Sequence, residues 1–560
     1  MRTHLVIGAS LFALMAHPGH ARGNPPNLAA QARLDVNASP EVGSLRQGSA
    51  VFGGGQALRM NWLGEAEQRR TYVAHWPIAH IRWSEVGFRF VPASNGVIAL
   101  DLLGPWEKSP GGALYLQEVL WDALTVSGAV LTNGGFEQPA GWANPWGGPV
   151  LFEQDQPARE GARSARVWHD RRLRTSLRVT GGQEVTVRAW VRARVPDGYV
   201  DQPRLADTNS AAHRTARKFM RGVNFSNFFE APAGEDWGGG PLGTSDFAAV
   251  RAQGFDHVRL PVSWNYHTGP GPTYTISNAF FTQVDAVVTG LLARGVNVLL
   301  NLHHFNEFYA DPAGWTNKLY ALWDQLAVHY DGYPDGLAFE ILNEPHDNAT
   351  TEVMNGIYAH LLPRLRLTHP QRTLFVGPGQ WSSIEQLPAL RLPADDRNLV
   401  VTVHNYQPFY FTHQGASWTG PSTATTNLVY PGPPPRPVVP HPDAAGDRGV
   451  VAWLERYNTL PRADNPCSSN AFEQSFCYAR DWSDYYGRPI YVGEFGAFHV
   501  ADQASRARFY REMRESLDRH GLGWAIWDWK SGFFFWDRKT GAPAPGLREA
   551  LFPGLSTRAR

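Results

Sequence analysis

The sequence predicts an α/β protein: a (β/α)8 TIM barrel over residues 218–556, preceded by a β-sandwich, jelly-roll-like region over residues 30–205. Three observations predict it. From Phe219 onward, eight short apolar runs alternate with helix-patterned stretches, the period of such a barrel. Before that point, strand-like runs follow one another without helical pattern between them. Several of the eight runs also end on a charged or aromatic residue, just where a barrel strand opens into its cleft.

The N-terminus reads as an export signal. Arg2 and His4 precede the apolar run Leu5–Ala16, which is too short to span a bilayer. Gly19 and Ala21 supply the small residues for cleavage after Ala21, so residues 1–21 are expected to be removed and the protein secreted, to the periplasm or beyond. No later segment is long and apolar enough to suggest a membrane span. From Arg33 to Val200 the chain is β-rich and punctuated by glycine. Gly87–Val91 and Val97–Leu103 flank the turn Ser94-Asn95-Gly96, and Glu184–Ala193 alternates with period two. Leu131–Glu137, then Gly141-Trp142 and Glu160–Ala165, resemble the opening of jelly-roll carbohydrate-binding modules, although a purely structural role fits equally well. That region is expected to pack against the barrel, joined by a polar linker, Pro203–Arg217.

The eight strand-like runs are Gly222–Phe225, His257–Pro261, Val296–His303, Leu337–Asn343, Thr373–Gly377, Asn398–His404, Pro489–Glu494 and Gly523–Trp527. Helical patterns include Asn278–Arg294, Asn317–Tyr330, Glu352–Thr368 and Gln503–Arg519. The longest connection, Gln407 to about Gly449, is proline-dense and is expected to be an ordered loop or insertion. The two cysteines, Cys467 and Cys477, lie in a polar stretch, and in an exported chain a disulfide between them is expected.

Lysine plus arginine equals aspartate plus glutamate at 51 each, so no global field would draw nucleic acid or anionic membrane. The chain holds 21 tryptophans, an excess that suits both core packing and flat surfaces for sugar rings. Glu344 closes the fourth run and Glu494 the seventh. Runs on different sides of a barrel can bring two carboxylates together over its mouth, the apparatus of a glycosidase. Arg259 ends the second run, His303 and His304 the third, His404 and Tyr406 the sixth, and Trp527 the eighth.

These motifs resemble glycoside hydrolase family 5, the cellulase-like retaining β-glycanases. The matching residues are Asn343-Glu344-Pro345, Gly493-Glu494-Phe495-Gly496, Arg259 in its Arg-Leu-Pro, His303, His404-Asn405-Tyr406, and Trp527, over roughly Arg221 to Leu551. The resemblance implies a retaining hydrolase of β-glycosidic bonds with Glu344 as acid/base and Glu494 as nucleophile. Arg259 would keep the nucleophile ionised, Tyr406 would orient it, Asn343 would bond the sugar's 2-hydroxyl, and Trp527 would face the sugar ring.

His303, His304 and His404 suit hydrogen bonds to a sugar. A zinc or iron site built on them is set aside, because Asn224, Gly377 and Trp527 end strands where further ligands would be needed. Neither metal nor cofactor is expected. After the sixth strand, Phe409, Tyr410, Phe411, His413, Gln414 and Trp418 form either a satellite core or, through Trp418, a sugar platform. Trp381, Trp264 and Trp529 are further platform candidates, and Asn306, Glu307 and Tyr309 candidate polar contacts. The expected partner is a polysaccharide or oligosaccharide substrate, with no nucleic acid, no membrane, and a monomeric chain. The leading expectation is a secreted endo-β-1,4-glucanase. A β-mannanase or exo-β-1,3-glucanase shares its mechanism, while a catalytically dead sugar-binding barrel should have lost one of the two carboxylates that this chain keeps.

Overall fold

The computed structural model describes residues 35–37, 55–62, 71–77 and, with interruptions, 81–554; the expected export signal lies outside the described residues. The chain divides into two compact units. One is Met1–Val200 with Asn470–Tyr478, the other Asp201–Ser469 with Ala479–Arg560. No helix among the described residues is long and apolar enough to cross a membrane.

The first unit contains two antiparallel sheets. The six-stranded sheet runs, in spatial order, Asp35–Asn37, Thr71–Pro77, Gly55–Trp62, Gly96–Leu102, Leu173–Val179 and Ala129–Val130. The five-stranded sheet runs Ser84–Phe90, Val185–Ala193, Val119–Ser127, Ser164–Val167 and Phe152–Glu153. Strand Leu173–Val179 alternates buried with less buried residues, as a one-face-buried strand must. One apolar core draws from both sheets, with Leu100, Leu102 and Leu177 from one and Val119, Trp121, Val187 and Val191 from the other. Phe136 and Trp142 of the Asn133–Trp142 motif are part of that core, their rings 5.0 Å apart, so their side chains are spent on packing.

The second unit is built on a closed barrel of eight parallel strands: Arg221–Asn224, His257–Leu260, Asn297–Asn301, Leu337–Glu340, Leu374–Val376, Leu399–His404, Ile490–Phe495 and Gly523–Ile526. All eight expected runs are present, shifted by a few residues at their ends. Leu299, Ala338, Phe375, Val400, Tyr491 and Ala525, one from each of six strands, fall in a single buried cluster that fills the barrel's lower interior. Side chains alternate along a strand, so the residues two positions on also face inward. Those are Asn301, Glu340, Gly377, Thr402, Gly493 and Trp527, joined by Asn224 and Arg259 from the first two strands. The interior thus changes from apolar to polar within one step, toward the strands' carboxyl ends.

Helices Thr244–Gln253, Asn278–Leu292, Pro312–His329, Thr351–Thr368, Asn470–Tyr486 and Gln503–His520 lie between the strands. Their starts are capped as expected: Thr350 accepts from the Val353 N–H, and Asp502 from the Ser505 N–H. The expected strand–helix repeat fails once. Between strands five and six lie only the four-residue helix Gly379–Ser382 and the 3-10 turn Ile384–Ala389. Pro388 and Pro393 remove helix donors there and restrict the residues before them.

Two further expectations are corrected. The stretch Pro203–Arg217 is no free linker: Ala211–Ala216 is helical under a Ser210 cap, the Leu205 N–H bonds the Tyr486 carbonyl at 3.0 Å, and Arg204 Nε bonds the Tyr485 carbonyl at 2.8 Å. Cys467 and Cys477 form no disulfide and are both buried as thiols. Cys467 Sγ turns to the Val429 carbonyl at 3.5 Å, while Cys477 lies inside the helix Asn470–Tyr486 rather than in a loop.

Candidate active site

Arg259 is the hub of the polar layer. It is fully buried, and each of its five N–H groups meets an acceptor. Nε and Nη2 grip the two oxygens of Glu340 at 2.7 and 2.6 Å. Nη2 also bonds Asn343 Oδ1 at 2.6 Å, and Nη1 bonds Asn224 Oδ1 at 2.9 Å and Glu494 Oε1 at 2.7 Å. A buried guanidinium is tolerable only with this degree of pairing. The sequence reading missed Glu340, the residue that carries the bidentate half of the arrangement.

Glu494 reaches the interior through an irregularity. Regular alternation points Gly493 inward, but the strand registers shift after Val403 and after Val492, so that Glu494 pairs with His404. Such bulges re-aim a side chain next to a site. Glu494 Oε1 takes the Arg259 bond and Oε2 accepts from the Tyr406 hydroxyl at 2.8 Å. Burial pushes its carboxyl above the usual range; His404 works against this, Glu344 adds to it, and Arg259 and the Tyr406 bond oppose it.

Glu344 does not close strand four. That strand ends at Glu340, and Glu344 follows four residues later in the left-handed region, at φ 40°. Its Oε1 lies 2.7 Å from His404 Nδ1, which in turn stands 3.7 Å from Glu494 Oε2. Burial lifts the Glu344 carboxyl to about 7, against Arg259 and His346 and with a contribution from Glu340. Burial also lowers His404 to about 4, so its imidazole is neutral near pH 7. Oxygens of Glu344 and Glu494 lie within 4.8 Å of one another.

Glu230, also missed from sequence, sits beside His303. It is fully buried, and burial pushes its carboxyl well above the usual range. One oxygen accepts the Asn227 N–H, and the other stands 3.5 Å from His303 Nε2. His303 Nδ1 meets the Asn301 amide at 3.1 Å, and its ring stacks on Trp527 at 5.7 Å and 12°. A neutral carboxyl is close in shape and charge to an amide. Glu230→Gln is therefore expected to change unfolding stability by less than about 1 kcal/mol, and Glu230→Ala to cost about 1–3 kcal/mol. Equal losses in thermal melts of the two variants would show Glu230 to be ionised instead.

A family model described as cellulase (glycosyl hydrolase family 5) matches residues 215–532, more than half of the chain. The chain belongs to glycosyl hydrolase family 5. Endoglucanase H of Acetivibrio thermocellus is 30% identical over 312 residues, 56% of this chain and 30% of that protein. Endoglucanase 3 of Fibrobacter succinogenes is 26% identical over 367 residues, 62% of this chain and 54% of the relative. The chain thus spans 30% and 54% of these two relatives. Among solved structures, Thermotoga maritima Cel5A in complex with cellobiose is 32% identical, with a TM-score of 0.52 over 60% of this chain and 99% of that one. The cellulose synthase subunit Z of Clostridioides difficile is 27% identical, with a TM-score of 0.52 over 60% and 99%.

The aromatic candidates of this family 5 chain separate cleanly. Trp264 and Trp529 are fully buried, their indole N–H groups satisfied by the Asn301 carbonyl and by Asp246, so they belong to the core rather than to a sugar platform. Trp381 and Trp418 are 54% and 60% exposed. Trp381 stands in a left-handed run with Gln380 and Ser382 and stacks on His346 at 5.0 Å and 9°. Trp418 sits edge-on to Phe498, above Phe411, His413 and Gln414, which are buried and tie the loop down. Trp237, which the sequence reading passed over, is 39% exposed and meets half-buried His304 at 5.7 Å. Of the polar candidates, Tyr309 is buried and its hydroxyl bonds the Asn343 carbonyl at 2.5 Å, while Asn306 stays exposed.

The three histidines do not converge on one point. His303 and His304 group with Glu230, and His404 with Glu344 and Glu494. In the second group the Arg259 guanidinium, 2.7 Å from Glu494, already supplies the positive charge that a metal ion would have to share.

Proposed function

We propose that this family 5 chain is a secreted glycoside hydrolase that cleaves β-1,4-glucan internally by a retaining double displacement. The observation that carries the reading is the pair of carboxyl oxygens within 4.8 Å. Retaining enzymes hold their carboxyl groups about 5–5.5 Å apart, whereas inverting ones need about 6.5–9.5 Å to admit a water. Glu494, held by Arg259 and Tyr406, attacks the anomeric carbon while Glu344 gives its proton to the departing glycosidic oxygen. Glu344, now ionised, then takes a proton from the water that releases the sugar from Glu494. Asn343 has its Oδ1 committed to Arg259, which leaves its Nδ2 amide to donate to the sugar's 2-hydroxyl.

The acid must be protonated for the first step. Activity is therefore expected to fall as pH rises through about 7, the value to which Glu344 is lifted. The β-1,4-glucan assignment draws on the endoglucanase names of the relatives and on exposed Trp381, Trp418 and Trp237, flat faces for successive sugar units. A product profile on carboxymethyl-cellulose, mixed-linkage glucan, mannan and laminarin tests it. A ladder of short products from the first two supports the reading. Mannan as the preferred substrate would make the chain a β-mannanase, and glucose released from laminarin an exo-β-1,3-glucanase.

Exhaustive chelation is expected to leave the rate on carboxymethyl-cellulose unchanged, since two carboxylates suffice for this chemistry. Loss that only a divalent cation restores would revive the histidine–metal alternative. For the first unit, the reading is a jelly-roll sandwich with a chiefly structural role, in keeping with the burial of Phe136 and Trp142.

A further inference from the structure

Behind His404 the barrel holds polar atoms that the reaction scheme above does not use. Thr402 and His404 are two residues apart on strand six and face the same way. Both are buried, at 0% and 7% exposure. His404 Nδ1 is committed to Glu344, whereas its Nε2 and Thr402 Oγ1 have no other hydrogen-bond partner. The two atoms line one small space: a methyl group built on Gly493 would stand 2.8 Å from Nε2 and 2.9 Å from Oγ1. Glycine at 493 keeps that space open. Ser382 Oγ is likewise buried without a partner, and a methyl group on Gly377 would stand 2.9 Å from it and 3.3 Å from Thr402 Cγ2. The left-handed run Gln380–Ser382 brings Ser382 there, beside the bridge between Ser383 and His404.

A neutral imidazole carries one proton, and its place matters here. With the proton on Nε2, the bare Nδ1 would face Glu344 Oε1 at 2.7 Å and draw the carboxyl proton inward, away from the leaving group. With the proton on Nδ1, Oε1 is occupied as an acceptor, and the acid's own proton is left to Oε2. The second arrangement requires Nε2 to accept a hydrogen bond, and the Thr402 hydroxyl is the donor that lines its space.

We propose that Thr402, backed by Ser382, is a positioning residue for the acid/base: it supplies the donor to His404 Nε2 and so fixes the tautomer whose Nδ1–H points at Glu344. The proposal rests on the assignment of Glu344 as acid/base. The other groups that bear electrostatically on Glu344 are Arg259 from strand two, Glu340 from strand four, Glu494 from strand seven, Tyr406, Tyr309 and its own neighbour His346. A Thr402→Val substitution leaves all of these in place.

The test is made on the full chain. In ¹⁵N-histidine spectra of the wild type, His404 is expected to show a protonated Nδ1 and a bare Nε2. A bare Nδ1 would overturn the proposal without any variant. Thr402→Val, nearly isosteric, is expected to lose that single tautomer, and Thr402→Ser to restore it. On a soluble β-glucan, Thr402→Val is also expected to move the basic limb of kcat/KM upward by roughly half to one pH unit, because the ionised carboxylate loses its Nδ1–H donor. Ser382→Ala should move it the same way by less. A folded Thr402→Val variant with unchanged spectrum and unchanged limb would overturn the proposal. Wild-type protein that cleaves no β-glucan would instead sink the functional reading, with the tautomer still decided by the spectra.

Discussion

Glu494→Gln is expected to lower turnover of a β-glucan polymer by at least about 10⁴-fold, because it removes the atom that forms the covalent bond. The fold should survive. An amide oxygen can still accept from Arg259 Nη1, and the Tyr406 hydroxyl, which now donates to Oε2 at 2.8 Å, can rotate to accept from the amide nitrogen. Glu344→Gln should behave differently. On polymer it should lose on the order of 10²–10⁴-fold, the usual worth of a positioned general acid. On an aryl glycoside whose leaving group needs no proton, the first step should be nearly spared, and the basic limb near pH 7 should vanish. Steady-state kcat/KM on both substrates decides the matter. Wild-type-like activity of either variant on polymer, or equal losses by Glu344→Gln on both substrates, would remove the assignment.

Arg259→Met is expected to damage stability and activity together. It leaves Glu340 and Glu494 buried without their cation, and Asn224 and Asn343 without their donor. Breaking a buried pair by removing one partner costs about 3–5 kcal/mol, which corresponds to a fall in Tm on the order of 10 °C. Glu494 would also lose the charge that opposes its burial and would stay protonated to higher pH, so the little activity that remains should have its acid limb shifted upward. Arg259→Lys offers three donors in place of five and should recover part of the stability but little of the rate. Thermal melts and pH profiles of the two variants separate these effects. A methionine variant as stable as the wild type would show that the network is not a major prop of the fold.

The barrel was legible because its strands are buried on both faces and therefore read as unbroken apolar runs. The same property hid Glu340. Within Leu337–Asn343 nothing local tells which acid faces the axis; counting two residues on from Ala338 would have shown it. Glu344 was picked for the right cleft but placed on the strand's end, because a left-handed step outside the strand leaves no mark in an apolar run. Trp264 and Trp529 were indistinguishable from Trp381 and Trp418 by residue type, since an indole serves a core and a sugar platform alike. The cysteines were misread through their setting. Phe472 and Phe476 recur at helical spacing around Cys477, a signal that places it in a helix and away from a loop disulfide. Glu230 had no signal beyond its position after strand one.

Full commitment of the Arg259 donors also bears on how this barrel can be diversified. Four residues on or beyond strands one, four and seven depend on one side chain, so a change at Asn224, Glu340, Asn343 or Glu494 strands a donor unless a second change answers it. Such double steps are seldom reached by single-mutation walks, and a library randomised at these positions would consist mostly of misfolded clones. Trp381, Trp418 and Trp237 carry no comparable obligation. New substrate ranges in this lineage, whether from natural drift or from directed evolution, should accumulate at the exposed tryptophans and their loops while the arginine and its acceptors stay fixed.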